Sequence, residues 1–242
     1  MSVSLHDTHL HLDLFDRPKE ILDQIEKEKV YTIAVTNVPE VFHHTHALVQ
    51  GSRYVRAALG FHPELVYQHR NQIVKFLDLL PQSRYIGEVG LDNYNKPSAD
   101  YSVQKKIFEE IVSACDIAKN KILTVHSRRA EEDLISLIGP NFSGKIILHW
   151  YSGSIKAIDN AIYCGFYFSI NYAMTQSERG RKVIKYIPPT RLLLESDSPF
   201  VKMNKVLYTP LIIKSTINEI CAIRQDKNID QIIKNNFKNL IT

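Results

Sequence analysis

Short apolar runs alternate with longer amphipathic stretches along the whole chain, and this alternation constrains the fold more than any other feature. The runs are rich in Val, Ile, Leu and Tyr, as strands buried on both faces should be. We predict strands over Ser4–His9, Tyr31–Thr36, Tyr54–Leu59, Tyr85–Glu88, Ile122–Val125, Lys145–Leu148, Phe166–Ser169 and Arg191–Leu194. Eight strand–helix units, repeating about every 25–30 residues, predict an α/β fold that closes as a parallel (β/α)8 TIM barrel.

Helical patterns fill the segments between these strands, and the longest covers Ser98–Asn120. The others are Pro18–Lys29, Ala130–Ile138, Ile155–Cys164, Tyr208–Ile223 and Asp230–Leu240. An open doubly wound sheet is the alternative, but no Gly-x-Gly-x-x-Gly turn follows the first strand. Because no linker or low-complexity tract interrupts the pattern, we expect residues 1–242 to form a single barrel domain.

Side chains with metal-binding chemistry follow several predicted strands at their carboxyl ends, where barrel enzymes place their active sites. His9 and His11 are two residues apart, so on a strand both imidazoles point to the same face. The candidate metal ligands are His9, His11, Glu88, His126, His149 and Asp197. The alternative is a set of unconnected polar side chains that cap their strands by hydrogen bonding.

Nitrogen and oxygen donors without thiolate suit zinc, manganese or magnesium. Six ligands exceed one tetrahedral site, so we expect two divalent metal ions. Glu88, on a central strand, could bridge them. Asp197 could bind one metal while it accepts the proton of the nucleophilic water, so these two carboxylates are the candidate catalytic residues. Two metals about 3.5–4 Å apart would stabilise the attacking and leaving oxygens of a phosphodiester.

Three further residues are candidates for substrate binding, and each has a plainer alternative. His62 could contact substrate from outside the metal shell, or it could cap its own loop. Arg128, beside Arg129, could bind a phosphate, although arginines at the start of a helix are commonly solvated. Trp150 could stack on a base, or it could pack against the barrel.

The other polar residues and the overall composition say less about function. Glu195 is expected to orient a ligand or to hold its loop, and His43, His44 and His46 are expected to lie on the surface. The net charge of +4 is compatible with a polyanionic substrate but does not require one. The three cysteines are not closely spaced, which predicts no disulfide framework and a cytoplasmic protein. We see neither a signal-peptide pattern nor an apolar run that could span a bilayer, so no membrane association is expected.

Six motifs occur in order along the chain: Asp7-Thr8-His9-Leu10-His11, Gly60-Phe61-His62-Pro63, Gly87-Glu88-Val89-Gly90-Leu91-Asp92, Val125-His126-Ser127-Arg128, His149-Trp150-Tyr151-Ser152-Gly153 and Glu195-Ser196-Asp197-Ser198-Pro199. In order and spacing the chain resembles the TatD family of metal-dependent hydrolases, within the amidohydrolase-like barrels. The resemblance implies one metal held by His9, His11, Glu88 and Asp197, and a second held by Glu88, His126 and His149. It also implies nuclease activity, commonly a 3′-to-5′ exonuclease acting on single-stranded DNA or RNA.

The chain departs from the usual family pattern in several places. Arg129 stands where the family usually has aspartate, and Ser196 and Ser198 replace the usual threonine and alanine. The segment Phe200–Lys205 lacks the arginine-rich loop that typically follows the proline matched by Pro199. In these features the chain is similar to the QatD branch, a component of the Qat anti-phage defence system. That similarity implies partner proteins, namely an ATPase and a QueC-like protein.

Three functions follow, in order of preference. The first is a metal-dependent phosphodiesterase, a 3′–5′ exodeoxyribonuclease that acts on single-stranded DNA in anti-phage defence. The second is a metal-dependent amide or ester hydrolase acting on a modified base or adduct, because the same ligands polarise a carbonyl and the basic loop is missing. The third is a non-catalytic structural subunit of a defence complex, which the presence of all six ligands disfavours.

Overall fold

Eight parallel strands form one sheet in which each strand pairs with the next strand along the chain. The computed structural model describes residues 5–94, 97–203, 205–208 and 210–242, so Ser4, in the first predicted strand, lies outside the described residues. The strands are β1 Leu5–Leu10, β2 Val30–Ala34, β3 Val55–Leu59, β4 Tyr85–Gly90, β5 Ile122–His126, β6 Lys145–Leu148, β7 Tyr167–Ile170 and β8 Leu192–Leu194. This order confirms the predicted (β/α)8 barrel, with strand ends within two residues of the predicted ones.

The barrel closes where β1 meets the segment that follows β8. The backbone N–H of Asp197 donates to the carbonyl of His9 at 2.8 Å, and that of His11 donates to the carbonyl of Ser198 at 3.0 Å. The side chains contribute as well, because the Thr8 hydroxyl in β1 donates to the carbonyl of Leu194, the last residue of β8, at 3.0 Å. Candidate metal ligands therefore supply the backbone hydrogen bonds of the seam.

Helices cover the outside of the sheet and return the chain to the start of the next strand. Those among the described residues are α1 Pro18–Glu28, α2 Phe42–Leu48, α3 Pro63–His69, α4 Ile73–Leu79, α5 Ser98–Ala118, α6 Glu131–Ile138, α7 Ile155–Tyr163, α8 Tyr172–Gln176, α9 Glu178–Tyr186, α10 Pro210–Arg224 and α11 Ile229–Ile241. The six predicted helices are all present. Thr209, within one of them, lies outside the described residues. None of these helices combines the length and apolar character that a membrane crossing needs.

The lumen of the barrel has its own apolar core, separate from the larger core between sheet and helices. Ile122, Ile147 and Leu193 belong to this inner core, and Phe237 and Leu240 of α11 pack against its lower end. Since side chains on a strand alternate between its two faces, every second residue above these positions also faces the lumen.

The same alternation carries polar groups to the top of the lumen. Thr124 and His126 follow Ile122 at intervals of two, and His149 follows Ile147 in the same way. Glu195 and Asp197 follow Leu193. The apolar lower layers therefore support an upper layer of titratable side chains, which burial would otherwise disfavour.

His6, in β1, is a buried histidine next to Phe237 of α11. It stacks on Phe237 with ring centroids 4.2 Å apart, and its Nε2 accepts the N–H of Leu194 at 3.1 Å. Burial lowers its pKa to about 3, so the folded protein holds His6 neutral. Between that pKa and the ordinary value of 6.5 the unfolded chain binds a proton that the folded chain does not. The free energy of unfolding therefore falls as the pH falls through this range.

We expect His6→Gln, which keeps an acceptor for Leu194 but does not titrate, to flatten this dependence. Between about pH 4 and pH 6 the slope should fall by up to about 1.4 kcal/mol per pH unit. Urea unfolding of both proteins at several pH values, with a chelator present throughout, measures the difference. Parallel curves for the two proteins would contradict the assignment of a neutral, buried His6.

Candidate active site

Glu88, at the end of β4, is the centre of the cluster. Its carboxylate is buried, and its two oxygens face different histidines. Oε2 lies 3.4 Å from Nε2 of His9 and 3.4 Å from Nε2 of His11. Oε1 lies 2.8 Å from Nδ1 of His126 and 2.9 Å from Nε2 of His149. One carboxylate thus joins two pairs of imidazoles from opposite sides of the barrel mouth.

Asp197 completes the first of these groups. Its Oδ1 lies 3.9 Å from Nε2 of His9 and 3.6 Å from Nε2 of His11, and these two nitrogens are 3.3 Å apart. Asp197 has a φ of +47°, a left-handed conformation that costs a non-glycine residue about 1–2 kcal/mol. The fold thus brings all six predicted ligands together at the carboxyl ends of the strands.

The charges of these buried groups depend on one another. Burial alone would raise the pKa of Glu88, but the surrounding histidines outweigh it and hold the pKa well below its ordinary value. Burial alone would lower the pKa of His11, yet the carboxylates of Asp197 and Glu88 raise it to about 9. The pKa of His9 falls to about 3, through burial and the nearby His149. Without a cation, the centre therefore balances its carboxylates with imidazolium protons.

The donor atoms are close enough to share ions. Three triplets of donor atoms among the described residues each lie within 4.8 Å of one another: His9, His11 and Asp197; His9, Glu88 and His149; and His62, Glu88 and His126. Imidazole nitrogens with carboxylate oxygens form a set that zinc, manganese and other divalent ions accept. The residues present therefore fit a divalent metal centre, in agreement with the predicted ligand types.

Two further residues orient the histidines, and the sequence analysis assigned neither of them a role. Nε2 of His126 lies 2.8 Å from Oδ2 of Asp92, whose pKa is lowered, so the ionised carboxylate accepts and the imidazole donates. In the neutral imidazole this leaves Nδ1, the nitrogen beside Glu88, as the free ligand atom. The Thr124 hydroxyl lies 2.7 Å from Nδ1 of His9. The sequence singles out Asp92 only as the last residue of the motif that contains Glu88, and this position does not reveal its contact with His126.

Glu195 lies behind His149 and binds the loop rather than the centre. Its Oε1 accepts the N–H of Trp150 at 3.0 Å and the amide of Asn171 at 3.0 Å, and the Ser169 hydroxyl donates to Oε2. Oε2 lies 3.8 Å from Nδ1 of His149. These contacts agree with the expectation that Glu195 holds its loop and orients a ligand.

His62 caps the start of its own helix, which was one of its two alternatives, and its second nitrogen faces the centre. Its Nδ1 accepts the N–H of Glu64 at 3.1 Å and so caps α3, while its Nε2 points to Oε1 of Glu88 at 3.4 Å. A neutral imidazole whose Nδ1 accepts a hydrogen bond carries its proton on Nε2. His62 therefore presents an N–H donor to the centre instead of a free ligand nitrogen.

A cavity of about 410 Å³ opens beside the second group of histidines. Arg128 and Trp150, both predicted to bind substrate, line it together with His126 and His149. Trp150 is 38% exposed, so part of its ring is accessible from the cavity. The cavity lies within the range of small-molecule sites.

The histidines of α2 behave differently from those of the barrel. His43, His44 and His46 are exposed, and no triplet of metal donors among the described residues includes them. Their surface position agrees with the sequence analysis.

A TIM barrel that buries histidines and carboxylates as metal donors at the carboxyl ends of its strands defines the class of metal-dependent hydrolases. The family model of the TatD related DNases matches residues 6–242. The chain belongs to the TatD family, and it is an enzyme of the kind that hydrolyses ester bonds.

Individual relatives agree with this assignment. The mouse putative deoxyribonuclease TATDN3 is 30% identical over 241 residues, which cover 92% of this chain and 79% of that protein. The crystal structure of YJJV, a TatD homologue from Escherichia coli, has a TM-score of 0.85 at 22% identity and covers 99% of this chain and 98% of that one. An uncharacterized amidohydrolase from Saccharomyces cerevisiae has a TM-score of 0.78 at 14% identity, covering 98% and 99%. These two structures share the barrel fold of this chain.

We expect Asp92→Asn to weaken binding of divalent metal about 10- to 100-fold, because His126 loses the charged acceptor that fixes its tautomer. Titration of the chelated protein with Zn²⁺ or Mn²⁺ measures the change. Asp133→Asn is the matched control, because that carboxylate bonds Tyr101 and Lys105 on the surface. Equal affinities for the wild type and Asp92→Asn would contradict the orienting role.

Proposed function

We propose that the protein is a two-metal nuclease that hydrolyses phosphodiester bonds of DNA. The observation that carries the proposal is the position of Glu88, whose two oxygens each face a separate pair of histidines. A carboxylate in this position suits a bridge between two cations. The family model adds the substrate class, because it describes DNases.

In this proposal, each metal has its own ligands and Glu88 is common to both. His9, His11 and Asp197 hold the first ion, and His126 and His149 hold the second. Zinc, manganese and magnesium are the candidate ions. Bound there, the ions lower the pKa of a water molecule and neutralise charge on the phosphoryl oxygens.

The chain's own side chains would do the remaining work. Asp197 accepts the proton of the attacking water, because its carboxylate is at the centre and is buried. His62 donates its Nε2 proton in a hydrogen bond to a phosphate oxygen, which orients the substrate without adding a ligand. Arg128 pairs with phosphate, and Trp150 stacks on a base in the cavity between them.

The finer assignment is a 3′–5′ exonuclease acting on single-stranded DNA. A cavity of about 410 Å³ beside the centre fits a terminal nucleotide better than the middle of a duplex. The departures at Arg129, Ser196 and Ser198 support a role in anti-phage defence in the cytoplasm, with an ATPase and a QueC-like protein as partners. Residues 1–242 would act as one hydrolase domain.

A second candidate is hydrolysis of an amide or ester on a modified base or adduct. One side of the mouth favours it, because Phe200 is 59% exposed and contacts the edge of the His11 ring with centroids 5.0 Å apart. An apolar wall beside the first metal position suits a substrate that is less charged than a nucleic acid backbone. The third candidate is a non-catalytic structural subunit of a defence complex. In that case the complex would not need catalysis by the buried histidines and carboxylates.

The deciding experiment measures bound metal by elemental analysis and follows end-labelled single-stranded DNA in the presence of Mn²⁺ or Mg²⁺. We expect two metals per chain and stepwise shortening of the DNA from its 3′ end. We expect Glu88→Gln, which keeps the shape but removes the shared charge, to lower the rate at least about 100-fold. Glu28→Gln, at a surface ion pair with Lys214, is the control.

Each other outcome points to one alternative. Bound metal with cleavage of amides or carboxylate esters, but not of DNA, would favour the second candidate. Wild-type rates in the Glu88→Gln protein would contradict the proposed centre. Defence activity in cells that survives this substitution would favour the structural subunit.

We expect Trp150→Ala to raise the KM for single-stranded DNA about tenfold, because base stacking on an aromatic ring contributes about 1–3 kcal/mol. The metal content should not change, because Trp150 supplies no metal donor and its bond to Glu195 comes from the backbone N–H, which alanine keeps. Initial rates over a range of DNA concentrations separate KM from kcat. An unchanged KM would assign Trp150 to packing instead.

A further inference from the structure

Two arginines and one tyrosine form a cationic cluster beside the proposed nucleotide cavity. The guanidinium carbon of Arg128 lies 3.7 Å from the centre of the Tyr94 ring, and that of Arg129 lies 4.5 Å from the same centre. Both arginines are exposed, and Tyr94 is 36% exposed. Both guanidiniums therefore share one aromatic support at the mouth of the barrel.

The charge of Arg128 interacts with the carboxylate of Asp92, but neither guanidinium makes an ion pair with a side chain in the part of the chain that the structure describes. The ion pairs of the neighbourhood use other groups, as in the pair between Lys105 and Asp133 at 3.2 Å. No side-chain hydrogen bond among the described residues uses either guanidinium. Each therefore keeps its planar array of donors for an external anion, and this array matches the oxygens of a phosphate.

The cluster is tied to the metal centre through one loop. The N–H of Tyr94 donates to Oδ1 of Asp92 at 2.8 Å, and Oδ2 of Asp92 binds His126 at 2.8 Å. The N–H of Asn93 donates to the carbonyl of Arg128 at 2.9 Å. These contacts fix the distance between the arginines and the centre, so an anion bound by the cluster would have a defined place relative to the scissile bond.

Space for more of a strand lies beyond Tyr94. A groove of about 500 Å³ runs along the start of α5 and is lined by Asn93, Tyr101, Lys105 and Lys106 among others. Asn93 borders this groove and also binds the Arg128 loop. A chain that leaves the cavity past the cluster would therefore continue over a mixed surface, with Lys106, the Lys105–Asp133 ion pair, Glu109 and the Tyr101 ring.

We propose that Arg128, Arg129 and Tyr94 form a second phosphate subsite, which binds the phosphate next to the scissile one. This inference rests on the proposed nuclease function and makes it more specific. The preferred substrate is a strand with at least two consecutive phosphodiesters, and a single isolated phosphodiester lacks one of its contacts. Tyr94 is a positioning residue that acts by holding the two guanidiniums.

The test compares the thymidine dinucleotide, which has one phosphodiester, with the trinucleotide, which has two. We expect the wild type to cleave the first bond of the trinucleotide with about tenfold higher kcat/KM, as one charge-assisted phosphate contact implies. In Arg129→Gln this ratio should fall toward one. Tyr94→Leu should lower the ratio as well, whereas Tyr94→Phe, which keeps the ring, should retain it.

Arg53→Gln is the matched control, because Arg53 is also an exposed arginine against a tyrosine but precedes β3 at the opposite end of the barrel. It should leave the ratio unchanged. Equal cleavage of both substrates by the wild type, or equal effects of Arg53→Gln and Arg129→Gln, would overturn the subsite while the nuclease assignment stands. Failure of the wild type to cleave either substrate would overturn the nuclease function and the subsite together.

Discussion

The burial of one carboxylate among five imidazoles is the constraint on which the site depends. Glu88 is 3% exposed, and an ionised carboxylate in such a place is unfavourable unless positive charge surrounds it. His11, His126 and His149 supply that charge as imidazolium when no cation is present, because the nearby carboxylates raise their pKa values, whereas burial and the nearby His149 lower the pKa of His9 and leave it neutral. Bound divalent ions would supply the same positive charge and would displace the imidazolium protons. The buried charge of Glu88 therefore favours histidines as its neighbours, because an imidazole can either carry a proton or lose it to a metal.

The fold was predictable because the same strand–helix pattern recurs eight times along the chain. Most of the eight strands are short apolar runs, so an error at one boundary does not change the topology. The ligands were predictable for a related reason, since parallel strands place all their carboxyl ends at one face of the barrel. His9 and Asp197 are far apart in sequence, yet their strands are neighbours when the barrel closes.

The orienting residues were harder to predict because their roles depend on side-chain direction. Asp92 lies in a loop after β4, and only the structure shows that its carboxylate turns back to His126. Thr124 looks like an ordinary strand residue, and it contacts His9 only because β1 and β5 face each other across the lumen. Pattern and spacing do not report contacts across a barrel. The pairing of Tyr94 with two arginines escaped prediction for the same reason.

The mouth of the barrel has two unlike sides. Arg128 and Arg129 make the side next to β5 cationic, while Phe200 makes the side next to β8 apolar. A polyanion would therefore approach over β5, and an apolar group at its end would lie toward β8. For a nucleic acid substrate, as proposed above, this polarity would favour one orientation before contact with the centre, because exposed charges act over several ångströms in water.

The hydrogen bonds of the barrel seam are made by the backbone of His9, His11 and Asp197, whose side chains belong to the centre. A cation held by these side chains would cross the seam and join the first strand to the last. Metal binding and closure of the sheet would then be linked equilibria, so each would strengthen the other. The backbone amides of His11 and Asp197 would exchange their hydrogens with solvent more slowly in the metal-loaded protein than in the chelated one. Local opening of this enzyme would begin at its active site.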